Sequence, residues 1–147
     1  MIEGSSHLKP SDFKLARKFA VQFVYQQDVN QQLFLQESAL KNFLIQNQVD
    51  ENQRAFLTTF LELIFKTRDN IDALIEKHSR NWKISRIAKV DLAILRVATV
   101  ELIERTETDA PIILSEAAAL AQEFGSSNSP SFVNGILDSI SKEVRQK

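Results

Sequence analysis

Apolar side chains recur at intervals of three and four residues along almost the whole chain, and this spacing is typical of amphipathic α-helices. Only three glycines and three prolines interrupt the pattern, which leaves little of the turn chemistry that a sheet protein needs. The first two helical segments run from about residue 11 to 28 and from about 33 to 47. A third segment follows Asp50, which suits helix capping, and a fourth begins near Asp69. The chain is therefore predicted to be all-α.

The segment from about residue 85 to 104 differs from the others because apolar residues nearly encircle it. A helix that is apolar on most sides is expected to be buried by neighbours on most sides. We therefore predict that this segment is the central helix of the fold. Its apolar residues are Ile87, Ala88, Val90, Leu92, Ala93, Ile94, Leu95, Val97, Ala98, Val100, Leu102 and Ile103.

Two more helices are predicted towards the C-terminus. Ala110 and Pro111 open the first, and Gly125 is expected to end it in the left-handed conformation. The last helix is predicted from about Ser131. Asn134 followed by Gly135 is also a hairpin signal, but the helical spacing of the apolar residues around it favours a helix that tolerates a glycine for close packing.

The chain is predicted to form one domain. We assign residues 1–10 to a flexible N-terminal tail and residues 11–147 to a single helical domain, because no internal repeat, low-complexity block or long linker divides the sequence. A chain of 147 residues can bury roughly 70% of the surface that its unfolded form exposes. With 44% hydrophobic and 25% charged residues, the composition is that of an ordinary globular protein.

The sequence carries no signature of an enzyme, a metal site or a cofactor site. It contains no cysteine, no glycine-rich phosphate loop, no helical pair of histidines and no serine between closely spaced glycines. The absence of cysteine fits the reducing cytoplasm, and no apolar run approaches the roughly 20 residues of a membrane helix. His78 continues an apolar stripe and is expected at the core or its boundary. For Asp91 and Glu101, a structural hydrogen bond or ion pair is favoured over acid–base chemistry.

A net charge of −1 argues against a protein that attracts nucleic acid by its total field, so any RNA-binding charge must be local. At 100° per residue, Lys14, Arg17, Lys18 and Tyr25 fall on one face of the first helix. Three cations and an aromatic ring can neutralise phosphates and stack on bases. Three phosphate contacts predict a salt slope of roughly −2. From spacing alone, however, a solvated helix face is the more common explanation of such charges.

Several stretches together resemble the NusB family in order and spacing, over about residues 11–143. The most specific of them is the run Phe-Val-Asn-Gly-x-Leu-Asp near the C-terminus. The matching stretches are Ala16–Tyr25, Val90–Ala98 followed by Glu101 and Leu102, Ser115–Ala117, Leu120–Ala121, Phe124–Gly125, and Phe132–Asp138.

The resemblance implies a compact bundle of about seven helices in two halves, and a transcription antitermination factor rather than an enzyme. It implies binding to the single-stranded boxA element of ribosomal RNA transcripts, together with NusE, a protein of the small ribosomal subunit. Other Nus factors and RNA polymerase would be indirect partners. The resemblance also implies a set of residues on the RNA-binding side, and the matching positions are Lys14, Arg17, Lys18, Tyr25, Asn128, Phe132 and Asn134. Phe132 has two interpretations, a core residue or an exposed stacking ring.

The sequence also departs from the family pattern. Phe13, Lys14 and Leu15 stand where family members often carry a run of arginines, and Ser131 stands where a basic residue is frequent. An alternative is therefore a protein-interaction adaptor on the same scaffold, with weakened RNA binding. The helical domain of an rRNA cytosine methyltransferase resembles the family too, but that enzyme also needs a glycine-rich nucleotide-binding domain and a cysteine nucleophile. Apolar surface kept for NusE leaves homodimerisation open.

Overall fold

The computed structural model describes residues 2, 4, 7–80 and 82–145. Over this part of the chain it contains seven α-helices, one short 3-10 helix and no strand, so the predicted all-α class is confirmed. The α-helices are α1 (Pro10–Val29), α2 (Glu37–Gln46), α3 (Glu51–Lys66), α4 (Arg68–His78), α5 (Lys89–Glu104), α6 (Ala110–Phe124) and α7 (Ser129–Val144). The 3-10 helix, Ile84–Arg86, lies between α4 and α5.

Helix α5 is the centre of the bundle, as its apolar pattern predicts. Every residue from 91 to 102 is buried, and Leu95 and Leu102 have no exposed surface. The helix packs against α1 and α3 from the N-terminal part of the chain and against α4, α6 and α7 from the C-terminal part. The core is therefore continuous through α5.

Phenylalanines join α1 to its neighbours in the N-terminal part. The rings of Phe23 and Phe43 meet edge to face with centroids 5.2 Å apart, which connects α1 with α2. Phe13 makes the same kind of contact with Phe56 of α3, also at 5.2 Å. Such pairs contribute about 0.5–1.5 kcal/mol each beyond the apolar area they bury.

Two local predictions are wrong. Helix α2 begins at Glu37, about four residues later than its apolar pattern indicates, and Leu33 and Phe34 lie exposed before it. Gly125 follows α6 as expected, but its φ of −97° and ψ of −166° are extended rather than left-handed. The glycine is needed for another reason, since a Cβ there would lie 2.4 Å from the Ser129 Oγ atom. The start of α7 approaches the end of α6 too closely for a side chain.

Gly135 lies in the middle of α7, so the helical interpretation of that segment is confirmed. The expectation that the glycine serves close packing is wrong. The residue is exposed, and a Cβ built on it would meet no atom within 4 Å apart from its own helix backbone and chain neighbours. Space for packing therefore does not require a glycine here.

The remaining observations concern His78, the first ten residues and the length of the helices. His78 lies at the core boundary as predicted, with Nδ1 2.7 Å from Ser139 Oγ and Nε2 2.8 Å from the Glu143 carboxylate. Within residues 1–10, Ile2 is buried in the core and Pro10 already belongs to α1. In the described part of the chain, no helix has both the length and the apolarity to cross a membrane.

Candidate RNA-binding surface

The four residues that were predicted to share one face of α1 differ in their exposure. Lys14 is exposed, the Lys18 side chain is 39% exposed and Tyr25 is 38% exposed. Arg17 is only 6% exposed. The predicted ridge of three available cations is therefore reduced to two lysines.

The prediction that Arg17 lies on an exposed face is wrong because this residue forms a buried ion pair. Its Nη2 atom lies 3.0 Å from Oε2 of Glu101, and its Nε atom donates to Oε1 of the same carboxylate. Arg105 donates to Oε2 of Glu101 at 3.1 Å from the other side. Glu101 is 1% exposed, so its structural role in an ion pair is confirmed. Arg17 thus fastens α1 to α5.

Lys14 and Lys18 border a groove between α1 and α6. The groove has a volume of about 370 Å³, and its lining includes Leu15, Glu116 and Glu123 in addition to the two lysines. The Nζ atom of Lys18 lies 2.8 Å from Glu123 and 5.5 Å from the centre of the Phe124 ring. Phosphate would therefore have to compete with Glu123 for Lys18. Among the described residues, no carboxylate lies within ion-pair distance of Lys14.

Tyr25 lies in a second groove of about 250 Å³, where the C-terminal part of α1 meets the start of α5 and the end of α6. Phe124 and Ser126 also line this groove, so the Phe124 ring lies between Lys18 and Tyr25. Asp91 belongs to the same groove and is 8% exposed, yet its Oδ1 atom has no hydrogen-bond partner among the described residues. The structural hydrogen bond or ion pair expected for Asp91 is thus not seen at that atom.

The predicted residues of the C-terminal part lie at the start of α7. Asn128 is the exposed residue before the helix, and Asn134 is exposed one turn inside it. Phe132 is half-buried, so its exposure is intermediate between that of a core residue and that of an exposed stacking ring. Its ring meets Trp82 edge to face with the centroids 5.9 Å apart. Trp82 is 49% exposed, and sequence reasoning missed it because the contact joins distant parts of the chain.

The start of α7 connects the separate parts of this surface. Ser126 and Ser129 line the Tyr25 groove, whereas Ser131 and Phe132 line a further groove that contains Trp82. With the Lys14–Lys18 groove, these form a surface from α1 across the α6–α7 junction to the segment after α4. The cations, rings and amide side chains on it can meet phosphates, stack on bases and hydrogen-bond to base edges.

Comparison with known proteins decides the family. The model of the NusB family matches residues 14–142, which is most of the chain. This chain belongs to the NusB family. The transcription antitermination protein NusB of Acetivibrio thermocellus is 36% identical over 129 residues, and the match covers 88% of each chain. That of Geobacter sulfurreducens is 34% identical over 140 residues, covering 91% of this chain and 96% of the relative.

Solved structures of NusB proteins share the fold. T. maritima NusB superposes with a TM-score of 0.81 at 28% identity, over 88% of this chain and 90% of that one. A structure of the antitermination factors NusB and NusE in complex with double-stranded RNA contains a chain that matches with a TM-score of 0.81 over 92% of this chain. The identity in that second match is 21%, so it bears on the fold alone. The NusB-like helical architecture implied by the sequence motifs is confirmed.

Proposed function

We propose that this NusB-family chain is a transcription antitermination factor that binds boxA-type single-stranded RNA of ribosomal RNA transcripts together with NusE. The observation that carries the proposal is the contiguous surface around Phe124. The ring of this residue lies 5.5 Å from the Lys18 ammonium and lines the groove of Tyr25. A cation beside a half-buried ring, with the exposed ring of Tyr25 in the adjoining groove, suits a strand whose phosphates and unstacked bases alternate. Family membership and the names of the relatives point to the same function.

The mechanism is positional, and no bond is made or broken. The chain and NusE hold the RNA and thereby tether it near RNA polymerase, with other Nus factors joining the assembly. The proposal needs no cofactor and places the chain in the cytoplasm, where transcription takes place. Helices α1, α6 and α7, which carry most of the surface, all pack against α5, so the bundle sets their positions relative to one another.

The burial of Arg17 limits how much affinity charge alone provides. Each phosphate contact to a single strand contributes about −0.7 to the salt slope, so two lysines correspond to roughly −1.4 instead of −2. The Lys18 contribution is reduced further by the ion pair with Glu123. Stacking, hydrogen bonds to bases and the NusE partner must therefore supply much of the binding free energy. We expect the RNA affinity of the isolated chain to be modest and to rise when NusE is present.

The test is a titration of a fluorescently labelled boxA RNA with this protein, with and without NusE, followed by anisotropy. The double variant Lys14→Ala/Lys18→Ala is expected to weaken binding and to flatten the salt dependence by roughly 1.4 in slope. Lys41→Ala/Lys66→Ala is the matched control, since it removes two exposed lysines from α2 and α3. The proposal would be refuted by an RNA affinity that is independent of the RNA sequence, is unchanged by NusE and is unaffected in the Lys14→Ala/Lys18→Ala variant.

A second candidate is a protein-interaction adaptor on the same scaffold with weakened RNA binding. It is favoured by one observation, since Arg17 and Lys18 both engage carboxylates of the chain itself. This function predicts that NusE binds the chain with unchanged affinity whether or not boxA RNA is present. Calorimetric titration of NusE in the two conditions separates the candidates, because cooperative RNA binding requires reciprocal coupling.

A further inference from the structure

Gly135 occupies a position where a glycine is costly and has no packing role. Relative to alanine, a glycine inside a helix lowers the folding equilibrium constant by up to about fivefold. The backbone is helical there, and a Cβ would meet no neighbouring atom within 4 Å. Neither conformation nor packing therefore explains the residue. Gly135 lines a surface cleft of about 450 Å³ between α7 and the segment after α4. The absence of a side chain at this position leaves the cleft open.

The walls of this cleft, which we call the Trp82 cleft, are aromatic and are held in place. Trp82 and Phe132 both line it, and their rings meet edge to face with the centroids 5.9 Å apart. The turn that carries Trp82 is fixed by Ser79, which is buried and donates its hydroxyl hydrogen bond to the Trp82 carbonyl oxygen at 2.7 Å. The Trp82 amide in turn donates to the Ser79 carbonyl oxygen at 3.2 Å. A half-exposed tryptophan on a fixed turn presents a preorganised flat surface.

The charges around the Trp82 cleft favour an anionic ligand. Arg80 lines the cleft, and Lys83 and Arg86 follow Trp82 closely as exposed residues. No ion pair joins any of these three cations to a carboxylate in the described part of the chain. The carboxylate of Glu143, which contacts the lining residue His78, is already bound by Lys77 and His78, and that of Glu76 accepts a hydrogen bond from the Ile84 amide. An aromatic wall beside the unpaired Arg80 matches a nucleotide, whose base is flat and whose phosphate is negative.

We infer that the Trp82 cleft binds one unstacked base of single-stranded RNA, with Arg80 at the adjacent phosphate and Gly135 leaving room for the base. This inference rests on the proposed function and extends it to a separate subsite. The cleft is continuous with the proposed RNA surface because Ser131 and Phe132 line it at the start of α7. The cleft volume lies in the roughly 300–1,000 Å³ range of sites that hold small ligands. Residues Arg80, Trp82 and Gly135 thereby join the RNA-binding set.

The chain offers a reporter at this site, since Trp82 is its only tryptophan. A short single-stranded boxA RNA is titrated into the protein at low salt, with anisotropy of a labelled RNA as one readout and tryptophan emission with unlabelled RNA as the other. Stacking on Trp82 is expected to quench its emission with the same midpoint as the anisotropy change. Binding without any change in emission overturns the inference and leaves the proposed function standing. Absence of binding by anisotropy both with and without NusE refutes both.

A pair of leucine variants tests the role of the open space at Gly135. Gly135→Leu is expected to obstruct the cleft, abolish the quenching and weaken RNA binding by roughly 5- to 150-fold, the range that corresponds to the loss of a stacking contact. Gln122→Leu is the matched control, since it places the same side chain at an exposed position of α6 that lines neither the Trp82 cleft nor the grooves of Lys18 and Tyr25, and it is expected to bind like the wild type. Circular dichroism melting checks that both variants are folded. An RNA affinity of Gly135→Leu equal to that of the wild type contradicts the inference. The RNA affinity of Trp82→Ala is measured by anisotropy, and a value equal to that of the wild type contradicts the inference too.

Discussion

The guanidinium of Arg17 and the carboxylate of Glu101 form a buried pair that connects the first helix to the central one, with Nη2 and Oε2 3.0 Å apart. The pair lies 84 residues apart in the chain. Arg105 completes the arrangement by donating to the same carboxylate, and its guanidinium lies 3.8 Å from the centre of the Phe13 ring. Arg17 is thus part of the framework that holds α1 in place beneath the RNA surface.

Replacing Arg17 is expected to destabilise the fold rather than to act on RNA directly. Arg17→Leu leaves Glu101 buried with Arg105 as its remaining partner, so we expect a loss of about 3 kcal/mol in the free energy of unfolding. Urea denaturation measures it. Lys14→Leu, on the same helix but exposed, serves as the control and is expected to change stability by less than about 0.5 kcal/mol. Equal stabilities of the two variants would contradict the structural role of Arg17.

Glu123 is expected to weaken RNA binding by holding Lys18. Glu123→Gln removes the carboxylate 2.8 Å from the Lys18 ammonium and releases that cation for phosphate. Because exposed ion pairs contribute about 0.2–1 kcal/mol, the RNA affinity should rise by roughly 1.4- to 5-fold at low salt. Fluorescence anisotropy with boxA RNA provides the measurement. Glu62→Gln on α3 makes the same change in net charge, and an equal gain from it would attribute the effect to overall charge.

The two helix-associated glycines are expected to respond to alanine with opposite signs. Gly135→Ala should stabilise the protein by about 0.5–1 kcal/mol, since the site is helical and open. Gly125→Ala should destabilise it by about 1–3 kcal/mol, because the new Cβ would lie 2.4 Å from Ser129 Oγ and 2.9 Å from the Ala121 carbonyl oxygen. Thermal denaturation of both variants tests the contrast. A shift of the same sign in both would show that the helix contacts differ from those described.

Glu143 is expected to make stability depend weakly on pH in the acidic range. Hydrogen bonds from Lys77 and then His78 hold the pKa of its carboxyl below the ordinary value of 4.5. A carboxyl whose pKa is lowered by folding stabilises the fold above its unfolded-state pKa, and this contribution is lost as the pH falls through the folded-state pKa. Glu143→Gln should therefore lower the urea midpoint at neutral pH and match the wild type in strong acid. A difference that persists in acid would rule out the carboxylate as its source.

Helix periodicity predicted most of the fold because it depends on residues that are three or four positions apart. The central position of α5 followed from an apolar pattern that encircles the segment from Ile87 to Ile103, and no knowledge of its neighbours was needed. The start of α2 was misplaced because Leu33 and Phe34 continue the apolar spacing without being buried. Periodicity predicts which residues can face a core, whereas burial depends on whether another helix is present to cover them.

The candidate site divides in the same way. Lys14, Lys18, Tyr25, Asn128 and Asn134 were identified from local spacing and family motifs, and they lie on the surface of the bundle. Arg17 fits the same helix face, but the carboxylate that buries it comes from a helix far along the chain. Trp82 was missed for the converse reason, since its significance depends on Phe132 of α7.

The sequence by itself determined the helical class, the central helix, the family and the presence of two lysines and a tyrosine on one helix. These are properties of short stretches and of their order along the chain. Only the tertiary structure decided that Arg17 is buried, that Lys18 pairs with Glu123, and that Gly135 lines a cleft beside Trp82. Each of those outcomes depends on side chains from separate helices meeting in space, and such distances follow from the packing of the whole bundle.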